Sequence, residues 1–225
     1  MASKACHSTS PGSRGRKPSH IPVAGDNAFS ASGEGGYVRK LLNRTAWFLL
    51  CVPLLVNSGE VVRKKNPDTG LLSWKMKESG LSIEFIQVLP DYVAAVYGSR
   101  DIPPAVLESM AGYCVFGTIL KNESAQELTY RMADWRYVTR DGSEHRIKTK
   151  TEWVAEWKGR GVSYRWSLLP DDQVFEPGDW SQGFITFRLP PDSVFDLKFS
   201  WRYQGEEHTG TIRDMRCAPA RPPGE

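Results

Sequence analysis

Histidine and cysteine are scarce in this chain, four of each in 225 residues, and Cys6, His7, His20 and Cys51 all precede residue 59. What remains afterwards is His145, His208, Cys114 and Cys217. A copper or zinc site needs ligands that converge, and two separate histidines beside turn segments do not supply them. Neither late cysteine has a C-x-x-C partner, which removes the usual redox and thiolate-zinc patterns. G-x-S-x-G, H-E-x-x-H and P-loop spacings are also missing, so nothing points to a hydrolase or nucleotide-dependent enzyme. No catalytic residue and no cofactor is expected. A hydrolase using Glu152 or His145 would need a cleft that the sequence does not reveal.

A long hydrophobic run is the other absence. The longest stretch, Ala46 to Val56, has 11 residues and contains Pro53, against the about 20 that a membrane-spanning helix requires. Arg39, Lys40 and Arg44 precede it and Asn57, Ser58 and Gly59 follow. Basic, apolar and small-residue regions in that order form the pattern of an export signal over 38–58. Val56 and Ser58 occupy the positions three and one before a cut ahead of Gly59, so cleavage is expected there. An uncleaved N-terminal anchor is the alternative, and the membrane would then be a partner through this segment alone. A lipoprotein signal would place a small residue just before Cys51, where Leu50 stands.

Residues 1–37 are rich in Ser, Gly, Pro, Arg and Lys, with Phe29 and Tyr37 the only large aromatics. Such a segment buries too little apolar surface to offset its ordering entropy, and a disordered leader is expected. A signal so far from residue 1 would be explained by a start read at Val38 or Leu41. The overall charge of +3 is uneven. Residues 1–58 hold 7 basic and 2 acidic side chains, while residues 59–225 hold 22 and 24. A near-neutral body gives no electrostatic footprint for nucleic acid. The expected location is therefore periplasmic or secreted. There the only two late cysteines, Cys114 and Cys217, can form one disulfide closing a loop of about 100 residues.

Beyond Gly59 the pattern is mainly β. Residues 59–80 are polar and read as an extended strap, with order beginning near Leu81. Strands are expected over Leu81–Leu89, Tyr113–Lys121, Leu128–Thr139, a segment through Ile147, Val162–Leu168, Ile185–Leu189, Phe195–Tyr203 and His208–Met215, about eight in all. Arg140-Asp141-Gly142-Ser143 and Gln204-Gly205-Glu206-Glu207 are turns. Short helices are expected at Asp91–Tyr97, from Pro103-Pro104 to Gly112, and at Glu152–Lys158, where Thr149 and Glu152 have capping-box spacing. Residues 218–225 read as a disordered tail. The fold expected over 81–217 is an antiparallel sandwich with two or three short inserted helices.

Pro177-Gly178, then Gly183-Phe184-Ile185-Thr186-Phe187-Arg188-Leu189-Pro190, then Phe195–Phe199 resemble the second half of immunoglobulin-like domains in small bacterial envelope proteins. The resemblance covers about residues 112–215. It implies an immunoglobulin-like β-sandwich with a binding or assembly role, and it carries over no catalytic residues. Antibody-type domains are excluded, because no Tyr lies two residues before Cys217 and Trp135 is 21 residues beyond Cys114.

Tryptophan is the abundant residue type: Trp74, Trp135, Trp153, Trp157, Trp166, Trp180 and Trp201 follow Gly59. Trp135, Trp166 and Trp201 sit on strand patterns and are expected in the core. Trp153 and Trp157, four apart, share one face of the third helix. That face either packs on the sandwich or, with Trp180 on its loop and Arg160, forms an aromatic binding surface. The functional expectation is a noncatalytic envelope protein that binds another envelope protein. A ligand-binding accessory protein for metal or carbohydrate is the alternative.

Overall fold

The computed structural model describes residues 59–98, 102–163 and 167–222, all within the unit Pro53–Glu225. The leader, the signal segment and Trp166 lie outside the described residues. No helix among the described residues is long and apolar enough to cross a membrane. The fold is mainly β and antiparallel, with eleven strands and three α-helices among the described residues.

The first sheet contains β1 (Val61–Lys65), β2 (Leu72–Glu78), β3 (Leu81–Val88), β4 (Cys114–Asn122) and β9 (Trp180–Phe187), side by side in that order. β1 to β3 are consecutive hairpins, and the β2–β3 turn uses Ser79 at φ 41° and Gly80 at φ 79°, the left-handed pair of a tight hairpin. Here the expected strap is corrected. Residues 59–80 supply two strands, and Trp74 and Met76 of β2 are fully buried in the core.

The second sheet contains β5 (Leu128–Arg131), β6 (Arg136–Thr139), β7 (Glu144–Arg146), β8 (Asp172–Phe175), β10 (Val194–Tyr203) and β11 (Glu206–Arg216). The single strand expected over 128–139 is broken. Both halves pair with β10, Trp201 opposite Tyr130 and Leu197 opposite Tyr137, so their registers differ by three residues. A 3-10 turn at Met132–Asp134 takes up that difference and leaves Met132 and Trp135 buried. β10 and β11 close through Gln204 and Gly205, both at positive φ.

Alternate side chains of both sheets meet in one core. Phe85 lies edge-on to Phe199, Phe116 to Phe195, and Phe187 to Tyr137. The sheets thus face each other across a layer of rings whose edge-to-face geometry adds to the burial itself. The disulfide Cys114–Cys217 joins the start of β4 to the residue after β11, with Cα atoms 5.5 Å apart. The chain just beyond it is held as well. Ala218 is buried and its carbonyl accepts from the Asp192 amide, so the disordered tail expected over 218–225 is corrected at Ala218.

Helices α1 (Pro90–Gly98), α2 (Pro104–Ala111) and α3 (Lys150–Gly159) cover part of the first sheet's other face. Their apolar residues Val93, Tyr97, Val106, Met110, Trp153 and Trp157 form a second core with Val115 and Leu168. The strand expected at Val162–Leu168 is not found in its described part. Leu168 makes only an isolated parallel bridge to Phe184, and Leu168 and Leu169 are both buried. Consecutive burial shows a connector passing between the two cores, where period-two alternation has no meaning.

Candidate binding surface

The β register defines the outer face of the first sheet row by row. Val88, Val115 and Thr186 form the row under the helices, followed by Lys64, Ser73, Ile86, Gly117 and Phe184. Next come Val62, Lys75, Glu84, Ile119 and Gln182, and last Lys77, Ser82, Lys121 and Trp180. The helical layer reaches Phe184, which meets Tyr97, and Thr186, whose hydroxyl accepts from Trp153 Nε1 at 2.9 Å. Beyond those residues no helix among the described residues is recorded over the face.

Trp180 stands at the uncovered end, 59% exposed, and Val62 two strands beyond β3 is 42% exposed. Lys121 is directly opposite Trp180 on the neighbouring strand. Lys77 donates to Glu123 at 2.7 Å and holds that carboxyl below its usual range, and Lys75 lies 3.7 Å from Glu84. Lys64 and Lys121 have no ion-pair partner among the described residues. The result is an indole and branched aliphatic side chains set among ammonium groups, a mixture suited to binding and devoid of a nucleophile–base pair.

Of the four side chains expected to form a surface, only Trp180 is on this face. Trp153 and Trp157 are fully buried, which corrects their place in that surface. Their shared helix face turns toward the sheet: Trp153 packs edge-on to Tyr113, Trp157 edge-on to Tyr97, and the Lys148 ammonium sits over the Trp153 ring. Arg160 is exposed, but it donates to the Ala105 carbonyl at 2.9 Å and lies 3.3 Å from Glu156. It ties α3 to α2. Glu152 completes the capping box with Thr149 and pairs with Arg146, and Glu156 pairs with Lys148, so both carboxylates serve the helix.

The face's cationic member Lys121 was visible in the sequence only as the last residue of a strand. Nothing local signals that it stands beside Trp180, because residues 121 and 180 meet through long-range pairing.

Concavities also lie away from this face. An apolar cavity of about 190 Å³ sits under α1 and α2, walled by Val93, Leu107, Met110 and Cys114. A more open groove of about 340 Å³ is lined by Tyr113, Tyr137, His145, Arg146, Lys148 and Arg188. His145 stacks on Tyr137 with ring centres 5.0 Å apart, and His208 stacks on Trp201 at 5.6 Å. No group of three or more His, Cys, Asp or Glu among the described residues could hold a metal ion. No protein-family model matches the chain, and no curated protein matches it in sequence.

Proposed function

We propose that the protein is a noncatalytic binding or assembly protein of a bacterial cell envelope, periplasmic or secreted, and that its partner is another envelope protein seated on the open face around Trp180. The exposed Trp180 indole on the edge strand β9, directly opposite Lys121, which has no ion-pair partner among the described residues, is the observation that carries this reading. Large aromatic side chains dominate interface energetics where a partner can desolvate them. The extracytoplasmic location draws on the signal pattern over 38–58 and on the Cys114–Cys217 bridge, since disulfides persist in oxidising compartments. The immunoglobulin-like likeness belongs to the same reading. Two facing antiparallel sheets support it, although β1 to β4 run in consecutive order along their sheet.

A photo-reactive residue at position 180 or 121 in the exported protein tests the reading. It should cross-link one envelope protein that Trp180→Ala fails to retain. Equal retention by the variant would count against the face.

The accessory ligand-binding reading keeps one observation of its own, the groove lined by His145, Arg146, Lys148 and Arg188. The Arg188 guanidinium makes no ion pair among the described residues, and its charge acts on the Tyr137 hydroxyl. Metal analysis and anion titration of the purified protein separate it from the first reading. Stoichiometric metal, or an anion lost on Arg188→Ala, would favour it.

A further inference from the structure

We propose that Gly59 is the N-terminal residue of the working protein and that the Glu78 carboxylate is the receptor for its α-ammonium. The inference rests on the extracytoplasmic reading and adds a processing site and a built acceptor to it. The antiparallel register of β1 on β2, Val61 opposite Met76, continues outward to place Gly59 opposite Glu78. At that point the Gly59 nitrogen donates to Glu78 Oε2 at 2.7 Å in a partly buried setting. Glu78 makes no ion pair among the described residues, while the neighbouring Lys77 is already paired with Glu123. A half-buried carboxylate whose only donor among the described residues is one backbone amide is under-used, because a charged donor would make a far stronger hydrogen bond there.

Glycine is demanded at this position. A Cβ on residue 59 would lie 2.8 Å from both Glu78 Cβ and Glu78 Oε2 and 3.0 Å from the Lys77 carbonyl oxygen. The acceptor therefore closes on the backbone nitrogen itself. This is also where the sequence places the scissile bond, with Val56 and Ser58 before it. Hydrolysis by an export peptidase adds one water: the Ser58–Gly59 bond breaks, Ser58 leaves as a carboxylate, and the Gly59 nitrogen takes up protons to become an ammonium. The new positive charge appears 2.7 Å from an acceptor already in place. Processing then strengthens the β1–β2 hairpin, the outermost pair of the sheet that carries the open face.

The full chain, expressed with its own leader, provides the test. Intact mass of the exported product should correspond to a start at Gly59. Labelling of the α-amine should be about tenfold slower in wild type than in Glu78→Gln, the factor expected for one pKa unit of ammonium stabilisation. Zero-length carbodiimide coupling should link the Gly59 amine to Glu78, a readout that needs no variant to fold. An exported product starting elsewhere overturns the inference and leaves the location intact. A start at Gly59 with equal labelling in both proteins, or with no Gly59–Glu78 link, overturns the acceptor. Unprocessed chain confined to the cytosol overturns the inference together with the reading beneath it.

Discussion

An indole that is 59% exposed and one that is fully buried respond in opposite ways to truncation. Trp157→Ala should cost about 3 to 5 kcal/mol of stability, since it removes a large ring packed on Tyr97 and Trp153 and leaves a cavity. Trp180→Ala should change stability by no more than about 0.5 kcal/mol yet weaken partner binding by about 2 kcal/mol or more, the loss typical of a central aromatic contact. Denaturant melts of both variants, with a binding isotherm for the second, check the pair. A stable Trp157→Ala would mean that α3 is not docked as described. At this scale the sequence identified both tryptophan groups but could not tell them apart. Amphipathic spacing shows that Trp153 and Trp157 share a face, whereas what that face meets is decided by Thr186, Tyr97 and Tyr113 far along the chain.

Helix α3 shows what the local code does and does not contain. Its N-terminus is capped by Thr149 and Glu152, as their spacing predicts, and the Asp171 carboxylate adds bonds from the Lys150 and Thr151 amides. That second cap comes from 20 residues away and has no sequence signature. Because each cap satisfies amides that would otherwise have no partner, Thr149→Ala and Asp171→Ala should each cost about 1 kcal/mol, measurable by thermal melts. The Thr149 amide and then the Arg146 guanidinium hold the Glu152 carboxyl below its usual range. A depressed carboxylate pKa contributes stability above the ordinary glutamate range, and that contribution is lost as pH falls through the folded-state value. Glu152→Gln should therefore flatten the acid limb of the stability curve and leave its alkaline side unchanged in slope. The same contrast explains the strands. β10 alternates cleanly because one face is core and the other solvent, and it was legible, whereas β11 loses its alternation between Ile212 and Met215, where the β10–β11 register shifts and Asp214 takes positive φ. β1 and β2 hide two core residues, Trp74 and Met76, among Arg63, Lys64, Lys65, Lys75 and Lys77, and β8 is a four-residue edge strand with one buried side chain.

At the level of the whole molecule the chain passes between the two sheets at β4–β5, β8–β9 and β9–β10, and the disulfide adds a covalent tie between them. Cys114 begins a strand of the first sheet, Cys217 follows the last strand of the second, and the two are 103 residues apart in sequence. Gln87 reinforces the junction: its Nε2 donates to the Arg216 and Cys217 carbonyls, and its Oε1 accepts from the Leu72 amide. Loop closure over that span removes enough unfolded-state entropy to stabilise the fold by about 4.7 kcal/mol in the chain-entropy model. Because both cysteines are buried, at 7% and 0% exposure, a reductant reaches the bridge mainly when the fold opens. The double variant Cys114→Ser/Cys217→Ser should accordingly lose about 2 to 5 kcal/mol in urea melts. Wild type should hold its bridge in reductant alone and lose it when denaturant is added. A bridge that reduces readily without denaturant would mean that the β4 and β11 ends separate on their own. In that event the ring-lined core, rather than the covalent tie, would be what keeps the two sheets together.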